Sequence, residues 1–180
     1  MAAAPFALGT LQLEKNSKVW NILEIGLGTG ILNSFLHDMF SNMNITVIEL
    51  EKGMYEIAKK YFGLIEDDYQ RIIIEDGLKY LEKTASQLKF DVIFIDACYD
   101  RIVSEVICPV EAFALEENLE IIKEALTENG IVVLSVLTFE EFELREVLAC
   151  GEFRKNTAKF VRKLKEIYNK FEFYSVPHIE

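Results

Sequence analysis

The chain has 180 residues, 51% of them hydrophobic and 27% charged, which fits one ordinary globular domain and excludes a disordered tail, a collagen-like chain or a disulfide-stapled miniprotein. Lys and Arg number 19 against 30 Asp and Glu, a formal charge of −11. That balance argues against a broad nucleic-acid surface, which needs clustered cations, and suits a cationic substrate.

Met1 to Leu13 is mildly apolar, without the basic opening and long apolar core of a signal peptide. Short apolar runs then alternate with helical patterns. Asn21–Ile25 is a compact apolar run that ends in Gly26. Leu32–Phe40 has helical spacing, Ile45–Leu50 is rich in β-branched residues, and Lys52–Phe62 puts Met54, Ile57, Ala58 and Tyr61 on one helical face. The acidic run Glu66-Asp67-Asp68 reads as an exposed turn. Arg71–Ile74 is a third strand, Leu78–Leu88 a helix and Phe90–Ile95 a fourth strand. Glu111–Leu126 predicts a helix with Leu115, Leu119, Ile122 and Leu126 inward, closed by Asn129-Gly130, a common helix stop. Ile131–Leu137 is a fifth strand. Continuous apolar strands alternating with helices predict βαβ units around a parallel sheet covered on both faces.

Beyond that the pattern changes. Glu140–Cys150 and Asn156–Tyr168 look helical, and Phe171–Val176 could be a sixth strand, stopped by Pro177. Residues 1–138 hold 11 basic and 22 acidic side chains, and residues 139–180 hold 8 of each, so all the excess acid lies in the first part. From Arg154 to Lys170 there are seven cations and one anion, Glu166, read as the solvated face of an amphipathic helix or else a dock for an acidic partner surface or RNA. No apolar run reaches the ~18 residues of a membrane span. Three scattered cysteines, Cys98, Cys108 and Cys150, form neither a zinc spacing nor a disulfide framework. Their odd number fits a reducing compartment, and with no His in context to activate them they are expected to be inert. The expected setting is the cytoplasm.

The most informative segment is Ile22-Leu23-Glu24-Ile25-Gly26-Leu27-Gly28-Thr29-Gly30, where a strand ends, alternate glycines turn the chain and a helix begins. Such loops cradle adenosine-containing cofactors, because glycine admits positive φ and close approach of a ligand. A dinucleotide fingerprint would need glycine at 31, where Ile31 stands. Glu24 would repel a pyrophosphate but can bond the amine or water shell of a methionine moiety. Glu49 ends the second strand, where a carboxylate can accept both ribose hydroxyls. Asp76, in Glu75-Asp76-Gly77, could accept from an adenine amino group or merely cap the next helix. Asp96 ends the fourth strand. All four acids fall at strand carboxyl ends, where open α/β sheets bind ligands. The candidate cofactor residues are therefore Glu24, Gly26, Gly28, Gly30, Glu49, Leu50, Asp76, Gly77 and Asp96, and the candidate catalytic residue is Asp96, with Tyr99 and Asp100 next in line.

These motifs resemble the S-adenosylmethionine-dependent methyltransferase superfamily, whose first motif is E-x-G-x-G-x-G. Ile74-Glu75-Asp76-Gly77 and Phe90–Asp96 are similar to its spermidine-synthase-like branch. Cys108-Pro109-Val110-Glu111-Ala112-Phe113, with Leu126–Val132, resembles the eukaryotic methyltransferase-like proteins that methylate translation elongation factor 1-alpha. The resemblance implies a Rossmann-like, doubly wound α/β domain over residues 1–180, a mostly parallel sheet with helices on both faces. It also implies S-adenosylmethionine as cofactor and methyl transfer to an amine, of a protein lysine or N-terminus or of a small molecule. The superfamily's antiparallel last strand is expected to be missing, since only residues 177–180 follow Val176. Spermidine synthases carry an Asp in the glycine loop and a D-S-S-D-P segment, whereas this chain has Thr29 and Asp96-Ala97-Cys98-Tyr99-Asp100, with Tyr99 in place of the polyamine-binding acid. Aminopropyl transfer is thus the weaker alternative. A non-catalytic cofactor-binding module acting through a protein partner is another.

Overall fold

A computed structural model describes residues 1–13, 18–101 and 106–138. The predicted helices over 140–150 and 156–168, the strand over 171–176 and the basic run 154–170 lie outside the described residues, as does Cys150. In chain order the strands are β1 (Trp20–Ile25), β2 (Met43–Glu49), β3 (Gln70–Ile74), β4 (Phe90–Ile95), β5 (Val106–Cys108), β6 (Leu126–Leu134) and β7 (Leu137–Thr138). The helices are α1 (Ala4–Ala7), α2 (Ile31–Met39), α3 (Lys52–Tyr61), α4 (Gly77–Thr84) and α5 (Glu116–Glu124), with a 3-10 turn over Glu111–Ala114.

Five strands form one sheet in the order β3-β2-β1-β4-β6, and every pairing is parallel. The expected α/β architecture is present, and no antiparallel strand joins this sheet among the described residues. Strand alternation sends successive side chains to opposite faces. Ile22, Ile45, Val47, Val92 and Phe94 pack toward Leu36 of α2 and Ala58 of α3. Leu23, Ile25, Ile48, Ile93 and Ile95 pack toward Leu81 of α4 and Ile122 of α5. Two apolar layers thus explain why the strands read as unbroken apolar runs. Among the described residues no helix is long and apolar enough to cross a membrane.

Several expectations need correction. The helix over 111–126 is broken at Leu115, which is extended at φ −76° and ψ 139°. Phe113 and Leu119 are both buried, and a continuous helix would turn them roughly 120° apart. The break resolves that conflict, and it leaves Leu115 39% exposed rather than inward. Asn129-Gly130 does not stop a helix but lies inside β6. Phe90 pairs with Leu126 and Val92 with Ile131, so the intervening residues of β6 bulge out. A Cβ on Gly130 would stand 2.8 Å from the Phe90 carbonyl oxygen, so glycine there serves the close approach of two strands. β6 also ends at Leu134, not at 137, and Leu137–Thr138 pairs antiparallel with β5, a strand the sequence pattern did not suggest. In α3 only Ala58 of the expected apolar set is fully buried, while Ile57 and Tyr61 are exposed.

Candidate functional site

The carboxyl ends of the strands are held level by backbone bonds between neighbours. Gly26 N donates to Ile48 O at 2.9 Å, Asp96 N to Ile25 O at 2.9 Å and Glu75 N to Glu49 O at 3.0 Å. Glu24, Glu49, Glu75 and Asp96 therefore share one edge of the sheet. By strand parity Glu24, Glu49 and Asp96 also share the face that carries α2 and α3.

The turn after β1 needs its glycines for different reasons. Gly26 has φ +94°, and a Cβ there would lie 2.5 Å from the Asp96 carbonyl oxygen, so it is required by the approach of β4. Gly28 has φ +53° and nothing within 4 Å of where a Cβ would be, so its backbone faces open space. Gly30, at φ +76°, is the last residue before α2.

Glu49 holds this turn in place. Its Oε2 accepts from Leu27 N at 2.8 Å and its Oε1 from Glu51 N at 2.8 Å, and the residue is 7% exposed. One carboxylate thus ties the loops after β1 and β2 together. Leu50, next to it, is 63% exposed at the same edge.

Glu24 is the unusual group. It is buried, and its Oε2 has no hydrogen-bond partner. Burial, and then the nearby Asp96 charge, hold its pKa well above the usual 4.5. A neutral buried carboxyl contributes stability that is fully present below the unfolded value and is lost as pH rises through the folded one. Glu24→Gln, which stays neutral, is therefore expected to flatten the fall of stability with rising pH above 4.5. Urea unfolding from pH 4.5 upward checks this; an identical slope in wild type and variant throughout would show that Glu24 contributes no such dependence.

Asp76 caps α4, with its Oδ1 accepting from Leu78 N at 2.9 Å and Lys79 N at 3.1 Å. The capping role weighed for it from sequence is present, and Oδ2 takes part in neither bond. Gly77 lets α4 start against β1, because a Cβ there would be 2.5 Å from Ile25 Cγ2. Asp96 is exposed at the mouth of this edge. Tyr99 follows it, its hydroxyl accepting from Glu111 N at 3.3 Å, while Asp100 is exposed. Glu66-Asp67-Asp68 is the exposed turn expected, with Asp67 Oδ1 accepting from Tyr69 N and Gln70 N.

The cysteines contradict expectation. Cys98 and Cys108 are joined by a disulfide, with Cα atoms 4.4 Å apart. Ten residues of separation carry no local signal; the loop after β4 meets β5 only because Tyr99 N donates to Ile107 O and Val110 N to Ala97 O. Sequence reasoning also missed Asp91. It is buried at the opposite edge, accepting from Lys18 Nζ at 3.0 Å and Asn21 N at 2.9 Å. A cavity of about 480 Å³ lies there, lined by Lys18, Trp20, Asp91 and Gly130 among others. An alternating apolar pattern could have flagged Asp91 as the polar residue inside a buried strand.

A parallel sheet of this order, with a glycine turn after its first strand and acids at the following strand ends, defines a class I methyltransferase fold of Rossmann-like type. Human methyltransferase-like protein 13 in complex with SAH superposes with a TM-score of 0.68 at 22% identity, over 99% of this chain and 96% of that one. The spermidine synthase of Thermotoga maritima superposes with a TM-score of 0.51 at 23% identity, over 73% and 40%. At these identities the likeness is one of fold. The chain belongs to the spermine/spermidine synthase domain family, which matches residues 8–176. The eEF1A lysine and N-terminal methyltransferase homolog of Drosophila pseudoobscura pseudoobscura is 32% identical over 141 residues, 78% of this chain and 21% of that protein. The human eEF1A lysine and N-terminal methyltransferase is 29% identical over 156 residues, 84% and 22%. The chain thus spans about a fifth of the length of the curated relatives it matches.

Proposed function

We propose that the chain is a cytoplasmic S-adenosylmethionine-dependent methyltransferase acting on an amine of a protein, a lysine or an N-terminus, as one domain over residues 1–180. The observation that carries this reading is the orphaned, buried Glu24 carboxyl beside a glycine turn whose backbone is open at Gly28. A buried polar atom without a partner calls for a ligand that supplies one, and an ammonium group meets that need.

Glu24 would receive the methionine ammonium, and Gly26, Gly28 and Gly30 would let the ligand lie against the backbone. Each carboxylate oxygen accepts more than one bond, so Glu49 can take ribose hydroxyls while holding the turn. Leu50 would border the adenosine, and Asp76 Oδ2 with Gly77 would meet the adenine end. When bound, the cofactor supplies an electrophilic methyl on a sulfonium. The protein's task is to align and desolvate the acceptor. Asp96 would steer an ammonium and take its proton, and Tyr99 would offer a π face to the cation. The relatives, named as methyltransferases of eEF1A lysine and N-terminus, support the same acceptor class.

Aminopropyl transfer is a second reading, favoured by the family itself. Tyr99 in place of an acid weighs against it. Calorimetric titration separates the two: S-adenosylmethionine should bind in preference to its decarboxylated form. The reverse preference would establish the second reading, and failure to bind either would remove the cofactor site. Labelled methyl transfer to lysate protein should follow binding, whereas tight binding with no transfer would indicate a non-catalytic module.

A further inference from the structure

We propose that Cys98 and Cys108 form a reversible thiol–disulfide switch that sets the order of the rim beside Asp96. The bridge closes the loop between β4 and β5, and Cys98 Sγ lies 3.7 Å from Asp96 Oδ1. Two backbone bonds run in parallel with it, Tyr99 N to Ile107 O at 3.0 Å and Val110 N to Ala97 O at 2.8 Å. The Tyr99 hydroxyl adds a third tie, accepting from Glu111 N. β5 also pairs with β7, and Ala97 and Val110 pack against the core, but neither apolar cluster includes the two sulfurs, so the bridge itself is no part of the core. Opening the bridge therefore loosens the rim and leaves the core packed.

The two sulfurs differ in access. Cys98 is exposed and Cys108 is 2% exposed. An exposed disulfide sulfur is open to attack by an external thiolate, which is the property of labile rather than structural bridges. Glutathione disulfide is the oxidant class for closure. The Cys98 thiolate attacks one of its sulfurs and one glutathione thiolate leaves. The Cys108 thiolate then attacks the Cys98 sulfur of the mixed disulfide, the bridge forms and the second glutathione thiolate leaves. Two electrons pass from the protein thiols to glutathione disulfide, and the two thiol protons end on the two glutathiones released. Reduction runs the same steps backward, starting at Cys98.

The effect on transfer rests on the proposed function, but the switch itself is read without it. The whole chain is equilibrated in buffers of stepped reduced-to-oxidised glutathione ratio, alkylated and cut with trypsin. The switch predicts a bridged pair of peptides, 90–101 with 102–123, that appears and disappears reversibly across the series. It also predicts that the amides of Tyr99 and Val110 exchange hydrogen about tenfold faster or more in the reduced chain, by local opening. Cys98→Ser, at the exposed position, should exchange like the reduced chain under oxidising conditions, and Cys108→Ser provides a second comparison. Separate alkylation of both cysteines at every ratio, a bridge that persists at every ratio, or equal exchange of the two amides in both states would each overturn the proposal. If the exchange difference stands while neither state transfers methyl groups, the switch holds and the methyltransferase reading falls.

Discussion

Gly26→Ala is expected to destabilise the chain by on the order of 3–5 kcal/mol, combining the strain of an L-residue at positive φ with overpacking. The site allows no inexpensive escape. At φ +94° the new Cβ would meet the Asp96 carbonyl oxygen at 2.5 Å and its carbon at 2.9 Å, and both are backbone atoms at the end of a central strand. Relief requires moving β4 away from β1, which breaks the bond from Asp96 N to Ile25 O. Thermal unfolding should show a midpoint lowered by about 6–20 °C, at ~2–4 °C per kcal/mol for a chain of this size. Gly28→Ala is the informative contrast, since nothing lies within 4 Å of its Cβ. It should cost only about 1–2 kcal/mol of folding, the usual strain of the left-handed region. On the proposed site it should nonetheless weaken cofactor binding, because the methyl would enter the open space beside Gly28. A midpoint for Gly26→Ala within a few degrees of wild type would mean that the strand ends are not locked together.

Glu49→Ala should lower stability by about 2–4 kcal/mol, since it removes two charge-assisted bonds and leaves the Leu27 and Glu51 amides without their acceptor. The same change should weaken S-adenosylhomocysteine binding about 10–100-fold, or ~1.4–2.8 kcal/mol. On the proposed site two losses would combine there: bonds to ribose, and the order of the turn that Glu49 holds through Leu27 N. Glu49→Gln keeps one acceptor oxygen and should fall between. Unfolding and titration on the same samples decide the matter. Unchanged affinity in a destabilised Glu49→Ala protein would make Glu49 a structural brace and take it out of the ligand site.

Much of this edge was legible in the sequence because it is written locally. A run such as Asn21–Ile25 followed by alternating glycines states both where a strand ends and where the backbone turns at positive φ. The acids Glu24, Glu49, Asp76 and Asp96 each follow or end such a run, so their common edge follows from parallel topology alone. What was not legible depends on chain segments far apart in sequence. Asp91 looks like a stray charge until Lys18 and the Asn21 amide come to it across the sheet. Cys98 and Cys108 look inert until the strap after β4 folds back. Leu115 fits an inward stripe until Phe113 and Leu119 compete for the same core. Asn129-Gly130 fits a helix stop equally well as a strand bulge, because glycine answers both needs, and only the proximity of Phe90 decides between them.

The bulge in β6 has a bearing on how such a chain can change length. From Val92 opposite Ile131 to Ile95 opposite Leu134 the two strands run in unbroken step, and the surplus residues all sit earlier, at the amino edge. The two edges of the sheet are therefore unequal in tolerance. An inserted residue between Thr127 and Asn129 adds to a segment that already bows out. An inserted residue between Ile22 and Glu24 would turn Glu24 to the opposite face, away from Glu49 and Asp96, and exchange the two apolar layers with it. Descendants of this sequence can lengthen at one edge and only substitute at the other.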